Sequence, residues 1–88
     1  MKCLRCRVTG RVQGVWYRAA TREQAQLLGV RGCAVNLADG RVEVIACGDA
    51  AAVDALCDWL WQGPELAQVS AVQCEPWDDP GIEDFVTG

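Results

Sequence analysis

Apolar and polar residues follow two different periods along this chain, and the two periods separate predicted strands from predicted helices. Alternation with a period of two is typical of strands that bury one face. It recurs in four segments, which are residues 3–9, 30–36, 42–47 and 67–75. The segment IEDFV at 82–86 also resembles a short strand at a sheet edge. We therefore predict four main strands and one short edge strand.

A first helix is predicted between the first two strands, from Tyr17 to Leu28. The helical period brings one set of side chains near a common face, namely Tyr17, Ala20, Gln24, Leu27 and Leu28. Gly29 follows directly, and glycine is the residue most often found just beyond a helix C-terminus. We expect this helix to pack on the sheet through that face.

A second helix is predicted after the third strand. Asp49 stands at the position of an N-cap, and Gly63 with Pro64 ends the helical pattern. Its apolar residues follow the i, i+3, i+4, i+7 spacing of a core-facing stripe, which consists of Val53, Leu56, Cys57 and Leu60. Trp59 and Trp61 lie beside this stripe, where partial burial near a sheet edge is expected.

The order of the main predicted elements is strand, helix, strand, strand, helix, strand. This βαββαβ order predicts an α+β, ferredoxin-like sandwich in which one antiparallel sheet carries both helices on one face, as a single domain over residues 1–88. Asp39 and Gly40 form a strong hairpin signal between the second and third strands. A right-handed crossover makes the first two strands parallel, so their carboxyl ends lie at one edge. We therefore expect the loop at 10–18 and Asn36, which ends the second strand, to be neighbours.

Charge is distributed unevenly along the 88 residues, whose formal net charge is −4. Residues 1–31 carry seven basic residues and one acid, whereas residues 32–88 carry one basic residue and eleven acids. An acidic chain with one basic region favours a small anion bound at one place over nucleic acid. The alternative is that the opposite charges pair across the fold.

The sequence shows no pattern typical of a membrane span or of a secretion signal. No apolar run approaches the roughly 18 residues of a membrane span, and the start MKCLRCRVTG lacks the apolar stretch of a signal peptide. We expect a soluble, cytoplasmic protein with no membrane and no nucleic-acid partner.

Six cysteines and no histidine limit the metal and redox chemistry that the chain could support. Cys3 and Cys6 have C-x-x-C spacing, but residues three apart on a strand point to opposite faces and cannot share a metal. Three disulfides would be the expectation for a secreted miniprotein, whereas buried free thiols suit a cytoplasmic domain. We expect no metal and no cofactor.

The stretch GRVQGVWYR at 10–18 contains the residues that suit an anion site. A glycine-containing turn before a helix directs several backbone N–H groups to one point, at the positive end of the helix dipole. Gly14 permits close approach of the backbone. Arg18 lies in the first helical turn, where a cation is disfavoured, and its planar guanidinium suits two oxygens of one phosphate. The alternative is that Arg18 pairs with an acid from the second half of the chain.

GRVQGVWYR, followed by GCAVNLADGRVEV at 32–44, resembles the acylphosphatase family. Members of that family show a G-R-V-Q-G-V-x-[FY]-R segment, then a glycine, an asparagine and a D-G-x-V-E hairpin. Both motifs occur at the expected separation, and the similarity extends from the first strand to the fourth. Cys33 and Val35 depart from the family pattern, in which an aromatic residue often follows the glycine and a basic residue often precedes the asparagine.

The resemblance implies a ferredoxin-like fold and a catalytic pair, Arg18 and Asn36. It implies that phosphate is bound by the following residues: Gln13, Gly14, Val15, Trp16, Tyr17 and Arg18. The implied reaction is hydrolysis of the carboxyl-phosphate bond of small acyl phosphates by a water molecule that Asn36 orients. A carboxylate departs without a protein acid, so neither histidine nor metal is required.

The partners implied are a small-molecule acyl phosphate as substrate and inorganic phosphate as product and inhibitor. We expect the protein to be a monomer. The alternative is a non-catalytic acylphosphatase-like binding or regulatory module, because one fold serves several functions.

Free thiols are the default expectation for a cytoplasmic protein, and a disulfide between Cys3 and Cys47 is the alternative. The predicted plan places the first and third strands side by side and antiparallel, which brings these two residues together, and such a pair occurs in members of the family.

Overall fold

The computed structural model describes residues 1–88 and contains five strands and two helices. The strands are β1 (Lys2–Arg11), β2 (Arg31–Asn36), β3 (Val42–Gly48), β4 (Gln68–Pro76) and β5 (Phe85–Thr87). The helices are α1 (Tyr17–Leu28) and α2 (Ala50–Gln62). The predicted elements and their order are confirmed, including the short fifth strand.

The five strands form one sheet in the order β4-β1-β3-β2-β5. β1 pairs antiparallel with β3 and β4, and β2 pairs antiparallel with β3. The ferredoxin-like α+β architecture is thus confirmed, but β5 joins the edge parallel to β2, so the sheet is mixed and not antiparallel throughout. Because β1 and β2 both run opposite to β3 between them, their carboxyl ends lie at one edge.

A single hydrophobic core lies between the sheet and the helices. Alternate strand residues point into it and meet the apolar stripe of α2. The fully buried members from these elements are Cys6, Val8, Ala34, Val42, Val44, Ala46, Val53, Leu56, Leu60 and Phe85. Burying each valine or leucine side chain stabilises the fold by about 1.5–3 kcal/mol. This core holds the carboxyl ends of β1 and β2 in fixed positions.

The buried face of α1 differs from the predicted one. Tyr17, Thr21 and Ala25 are buried, whereas Leu27 is 76% exposed. The other residues of the predicted face are half-buried: Ala20, Gln24 and Leu28. Thr21 can be buried because its hydroxyl donates a hydrogen bond to the Tyr17 carbonyl oxygen at 2.8 Å, which leaves no unpaired polar group. The i, i+4, i+8 row that begins at Tyr17 therefore faces the sheet.

The core-facing stripe predicted for α2 is confirmed, with Val53, Leu56 and Leu60 buried and Cys57 half-buried. Asp49 is the N-cap residue as predicted, although its side chain makes no capping hydrogen bond.

The two helices are joined directly at Tyr17. Its hydroxyl donates a 2.6 Å hydrogen bond to the Leu60 carbonyl oxygen, one of the last carbonyls of α2, which have no partner within the helix. The Tyr17 ring also packs against the half-buried Trp59, with ring centroids 6.0 Å apart. The start of α1 is therefore anchored to the end of α2.

The cysteines occupy both sides of the sheet. Cys3 lies directly opposite Cys47 in the β1–β3 register, and the structure joins the two by a disulfide. Cys6 lies opposite Cys74 on β4, in a second disulfide that the sequence analysis did not predict. Cys3 and Cys6 thus have separate partners, as expected for strand residues that point to opposite faces.

Ion pairs link most basic residues to the acidic half of the chain. The pairs are Lys2–Asp54, Arg5–Glu43, Arg5–Glu75, Arg7–Glu43, Arg31–Asp79 and Arg41–Asp39. The expectation that opposite charges pair across the fold is therefore met at these positions, except at Arg41–Asp39, which are only two residues apart. Neither helix is long and apolar enough to cross a membrane.

Residues 77–84 connect β4 at one edge of the sheet to β5 at the other. Near the start of this connection, the Trp77 backbone N–H donates to the Cys3 carbonyl oxygen at 3.0 Å, and the Arg5 guanidinium lies 3.9 Å from the centroid of the Trp77 ring. Further along, the Arg31 guanidinium donates hydrogen bonds to the Asp79 carboxylate and to the Ile82 carbonyl oxygen. The connection thereby brings the last residues of the chain beside β2.

Candidate active site

The carboxyl end of β1 leads into a short loop, residues 12–16, which we call the cradle loop. The Gln13 side-chain amide donates to the carbonyl oxygens of Leu37 at 2.9 Å and Arg41 at 3.0 Å. Leu37 follows Asn36 directly, so these two bonds hold the cradle loop against the end of β2. On the other side of the loop, Val12 and Val15 are buried in the core. The loop is therefore fixed at both flanks.

The backbone of the cradle loop turns through two residues with positive φ. Gly14 has a φ of 75°, and a Cβ atom placed there would meet no atom within 4 Å. Trp16 has a φ of 66°, which disfavours any residue other than glycine by about 1–2 kcal/mol. Two left-handed residues so close together turn the chain sharply into α1 and leave open space on the outer side of Gly14.

The N-terminus of α1 has no capping side chain. Trp16 is the N-cap residue and makes no side-chain hydrogen bond, and the first turn contains no acidic residue. The first N–H groups of a helix have no intrahelical acceptor and lie at the positive end of the helix dipole. This end of α1 therefore presents donors that an external anion can satisfy.

Arg18 lies one residue into α1 and is half-buried. Its Nη1 donates to the carbonyl oxygen of Gly88 at 3.2 Å, and it is absent from the ion pairs between side chains. The alternative in which Arg18 pairs with an acidic side chain is therefore not found. A guanidinium that is positioned but lacks an acidic side-chain partner keeps most of its five donors for a ligand.

Asn36 is the last residue of β2 and is exposed. Its backbone is held opposite Val42 in the β2–β3 register, which continues into the hairpin. The side chain is therefore presented to solvent from a rigid strand end, next to the cradle loop that Gln13 ties to Leu37.

A pocket of about 320 Å³ opens over the start of α1. Its lining consists of Val12, Gly14, Trp16, Tyr17, Arg18, Ala19 and Thr87. Of the predicted catalytic pair, Arg18 lines this pocket and Asn36 lies outside the lining. Trp16 is 78% exposed and forms one wall.

Two residues of this region were missed by sequence reasoning, namely Thr87 and Gly88. Thr87 lines the same pocket as Arg18, and Gly88 accepts a hydrogen bond from it. Both residues lie there because β5 pairs with β2 and the Gly88 backbone N–H donates to the Ala34 carbonyl oxygen at 3.2 Å. A contact across 70 positions leaves no local signal in the sequence.

The pocket lining contains no cysteine, histidine, aspartate or glutamate, and its side-chain hydroxyls are those of Tyr17 and Thr87. The two free cysteines, Cys33 and Cys57, are half-buried and outside its lining, and burial raises the pKa of Cys57 to about 11. Burial also raises the pKa of Tyr17 above its ordinary value, and its hydroxyl is held by Leu60. The lining can therefore bind and orient a ligand, but it contains no thiol, imidazole or carboxyl group for covalent or acid catalysis.

A family model described as acylphosphatase matches residues 4–87. The chain belongs to the acylphosphatase family. A curated acylphosphatase of Chromohalobacter salexigens is 55% identical over 87 residues, which cover 99% of this chain and 97% of that protein.

Solved acylphosphatases have the same fold. An acylphosphatase from Coxiella burnetii, 38% identical, matches with a TM-score of 0.94 over 99% of this chain and 92% of that one. The acylphosphatase from Bacillus subtilis, 28% identical, matches with a TM-score of 0.95 over 100% and 99% of the two chains. The family resemblance inferred from the two motifs is thus confirmed.

Proposed function

We propose that this chain is an acylphosphatase that hydrolyses the carboxyl-phosphate bond of small acyl phosphates to a carboxylate and inorganic phosphate. The observation that carries this proposal is Arg18, a positioned guanidinium without an acidic side-chain partner beside the uncapped N-terminus of α1. Five other basic residues are paired with acidic side chains. A cation left available at a helix N-terminus, where the dipole disfavours it, is best explained by an anion that binds both.

The phosphate is held by two kinds of donor. Backbone N–H groups from Gln13 to Tyr17 donate hydrogen bonds to the phosphate oxygens, with Gly14 keeping the outer side of the turn open. The Arg18 guanidinium binds two further oxygens in the geometry that its planar fork favours. Both groups remain in place as charge shifts during transfer, so they stabilise the transition state without reorganising.

Water is the nucleophile, and Asn36 orients it. A neutral amide both donates and accepts hydrogen bonds but does not act as a base at neutral pH. The proton of the attacking water therefore passes to a phosphate oxygen of the substrate. The contribution of Asn36 is positional, and it acts at the strand end that the cradle loop approaches.

Acyl phosphates are the proposed substrates because of the leaving group that they release. A carboxylate is stable without protonation, whereas an alkoxide from an ordinary phosphate ester needs a general acid. Residues 10–18 contain no histidine, cysteine, aspartate or glutamate, and the Tyr17 hydroxyl is already bonded to Leu60. The site therefore suits a phosphoryl donor that needs no acid.

Trp16 is positioned to contact the acyl group. Its side chain is 78% exposed, yet it forms a wall of the pocket next to Arg18. When Arg18 binds the phosphate, an aromatic or aliphatic acyl chain would lie on the Trp16 ring and bury its apolar surface.

A non-catalytic binding or regulatory module is the second candidate, because the fold alone does not require turnover. The test is phosphate release from acetyl phosphate and benzoyl phosphate compared with a phosphate monoester. We expect release from both acyl phosphates and not from the ester. Phosphate binding without turnover would instead favour the module.

Replacement of Asn36 tests the roles within the site. Asn36→Ala should lower kcat by about two to three powers of ten, the usual effect of losing one oriented donor, while inhibition by inorganic phosphate changes little. Gln26→Ala is a matched control, since it removes an exposed amide from the far end of α1. Wild-type turnover in Asn36→Ala would contradict the assignment.

We also propose that the chain acts as a single monomeric domain over residues 1–88, in the cytoplasm and without a cofactor. The single core and the one continuous sheet support the domain proposal. Light scattering on the purified protein tests the monomer, and full turnover after dialysis against a chelator tests the absence of a required metal.

A further inference from the structure

Three cysteines that the proposed reaction does not use meet at one point of the fold. Cys6 on β1, Cys57 on α2 and Cys74 on β4 have their sulfur atoms within 4.8 Å of one another. We call these residues the thiol triad. Cys6 is fully buried, Cys57 is half-buried and Cys74 is exposed, so the triad runs from the core to the surface.

The arrangement of the three sulfurs is triangular. Cys57 Sγ lies 3.5 Å from Cys6 Sγ and 3.9 Å from Cys74 Sγ, while Cys6 and Cys74 form a disulfide. Attack of a thiolate on a disulfide requires the attacking sulfur on the extension of the S–S axis, where its two distances would differ by about 2 Å. The two distances from Cys57 are nearly equal. The geometry therefore does not favour exchange between Cys57 and the disulfide.

A sulfur equidistant from two others suits a shared ligand at the centre. With metal–sulfur bonds of about 2.3 Å, three sulfurs in a trigonal plane lie about 4.0 Å apart. Both separations from Cys57 are already close to that value. Only the distance between Cys6 and Cys74 must widen after reduction, and Cys74 can rotate because it is exposed.

We propose that the reduced thiol triad is a site for a soft monovalent metal ion, Cu(I). Three thiolates and no nitrogen or oxygen ligand select a soft ion, and three ligands leave a tetrahedral zinc site incomplete. The exposed Cys74 provides the entry path.

Loading the site involves two balanced steps. Two molecules of a small thiol reduce the Cys6–Cys74 disulfide, which yields two protein thiols and one small-molecule disulfide. Cu(I) then binds the sulfurs of Cys6, Cys57 and Cys74, and the three thiols release three protons. The copper does not change oxidation state.

The test is an anaerobic titration of the fully reduced protein with Cu(I), in competition with a chromophoric Cu(I) chelator. We expect one Cu(I) per chain and three sulfur neighbours in its X-ray absorption spectrum. Cys57→Ser should weaken Cu(I) binding by more than about 100-fold. Loss of a residue that only hydrogen-bonds to a metal ligand weakens metal binding by up to about 100-fold, and Cys57 is proposed to be a ligand itself. The spectrum of that variant should show two sulfur neighbours.

Two matched variants separate the triad from the other thiols. Cys33→Ser removes a half-buried free thiol on β2, and Cys3→Ser removes a thiol of the other disulfide. Both should bind Cu(I) like the wild type. Hydrolysis of benzoyl phosphate, which uses none of these cysteines, shows that each variant is folded. If the Cys57→Ser variant does not fold, the titration is made with Cys74→Ser, which changes an exposed residue.

The proposal is overturned if the reduced protein binds no Cu(I), or if Cys57→Ser retains wild-type affinity. It is also overturned if affinity depends on Cys3, or if Zn²⁺ binds the triad more tightly than Cu(I). Failure of benzoyl phosphate hydrolysis in the wild type would concern the proposed reaction only, because copper binding is measured directly.

Discussion

Replacing Arg18 by alanine should separate function from stability in this protein. Arg18 makes one hydrogen bond within the chain, to the Gly88 carbonyl at 3.2 Å, and forms no ion pair with an acidic side chain. Loss of that bond costs about 0.5–1.5 kcal/mol. Removal of a cation from the first turn of α1 offsets this by about 0.3–1 kcal/mol. The free energy of unfolding should therefore change by less than about 1 kcal/mol.

The effect on phosphate binding should be much larger. Two charge-assisted hydrogen bonds from one guanidinium contribute about 1.5–3 kcal/mol each, or about 3–6 kcal/mol together. Since each 1.4 kcal/mol is a factor of ten, inhibition by inorganic phosphate should weaken by about 10²–10⁴-fold, and kcat/KM for benzoyl phosphate should fall at least as far. Arg18→Lys keeps the charge but loses the planar fork, so its loss should be intermediate.

Hydrolysis of benzoyl phosphate followed by absorbance, with phosphate as competitor, measures both effects, and thermal unfolding measures stability. Arg22→Ala is the matched control, because Arg22 is exposed one turn further along α1 and also forms no ion pair. We expect Arg22→Ala to resemble the wild type. A kcat/KM for Arg18→Ala within tenfold of wild type, or an equal loss in Arg22→Ala, would refute the reasoning.

Three further predictions concern other parts of the molecule. Tyr17→Phe leaves the buried Leu60 carbonyl without its 2.6 Å hydrogen-bond partner, so the free energy of unfolding should fall by about 1–3 kcal/mol. A melting temperature lowered by less than about 4 °C would contradict a stabilising role for this hydrogen bond. Trp16→Ala should raise KM for benzoyl phosphate more than for acetyl phosphate, and equal changes for the two substrates would remove Trp16 from the acyl site. Thiol titration of the unreduced, denatured protein should find two free thiols, those of Cys33 and Cys57, whereas six would exclude both disulfides.

Local patterns in the sequence were sufficient for the elements and for the cradle loop. Helix α1 lies between Tyr17 and Leu28 as predicted, because the glycine that follows and the helical period are both local signals. The features of the loop that suit an anion are local too, since Gly14 and Arg18 are four residues apart. The handedness of the crossover predicted that the loop and the end of β2 would be neighbours, and the hydrogen bond from Gln13 to the Leu37 carbonyl oxygen joins them.

The buried face of α1 could not be predicted from hydrophobicity alone. Leu27 is more apolar than Thr21, yet Thr21 is buried and Leu27 is exposed. The reason is that Thr21 satisfies its hydroxyl on the Tyr17 carbonyl, while the row from Tyr17 to Ala25 packs on the sheet. Whether a side chain is buried depends on its tertiary neighbours, and the helical period does not specify those neighbours.

The sequence by itself determined the order of the elements, the ferredoxin-like plan and the loop that suits a phosphate, because each rests on residues near one another in the chain. Only the tertiary structure decided that Gly88 reaches Arg18 and that Cys6, Cys57 and Cys74 meet. Those contacts join residues far apart in sequence, through the parallel pairing of β5 with β2 and the packing of α2 over β1 and β4. The physical reason is that strand register and helix packing set such distances, and both depend on the whole core.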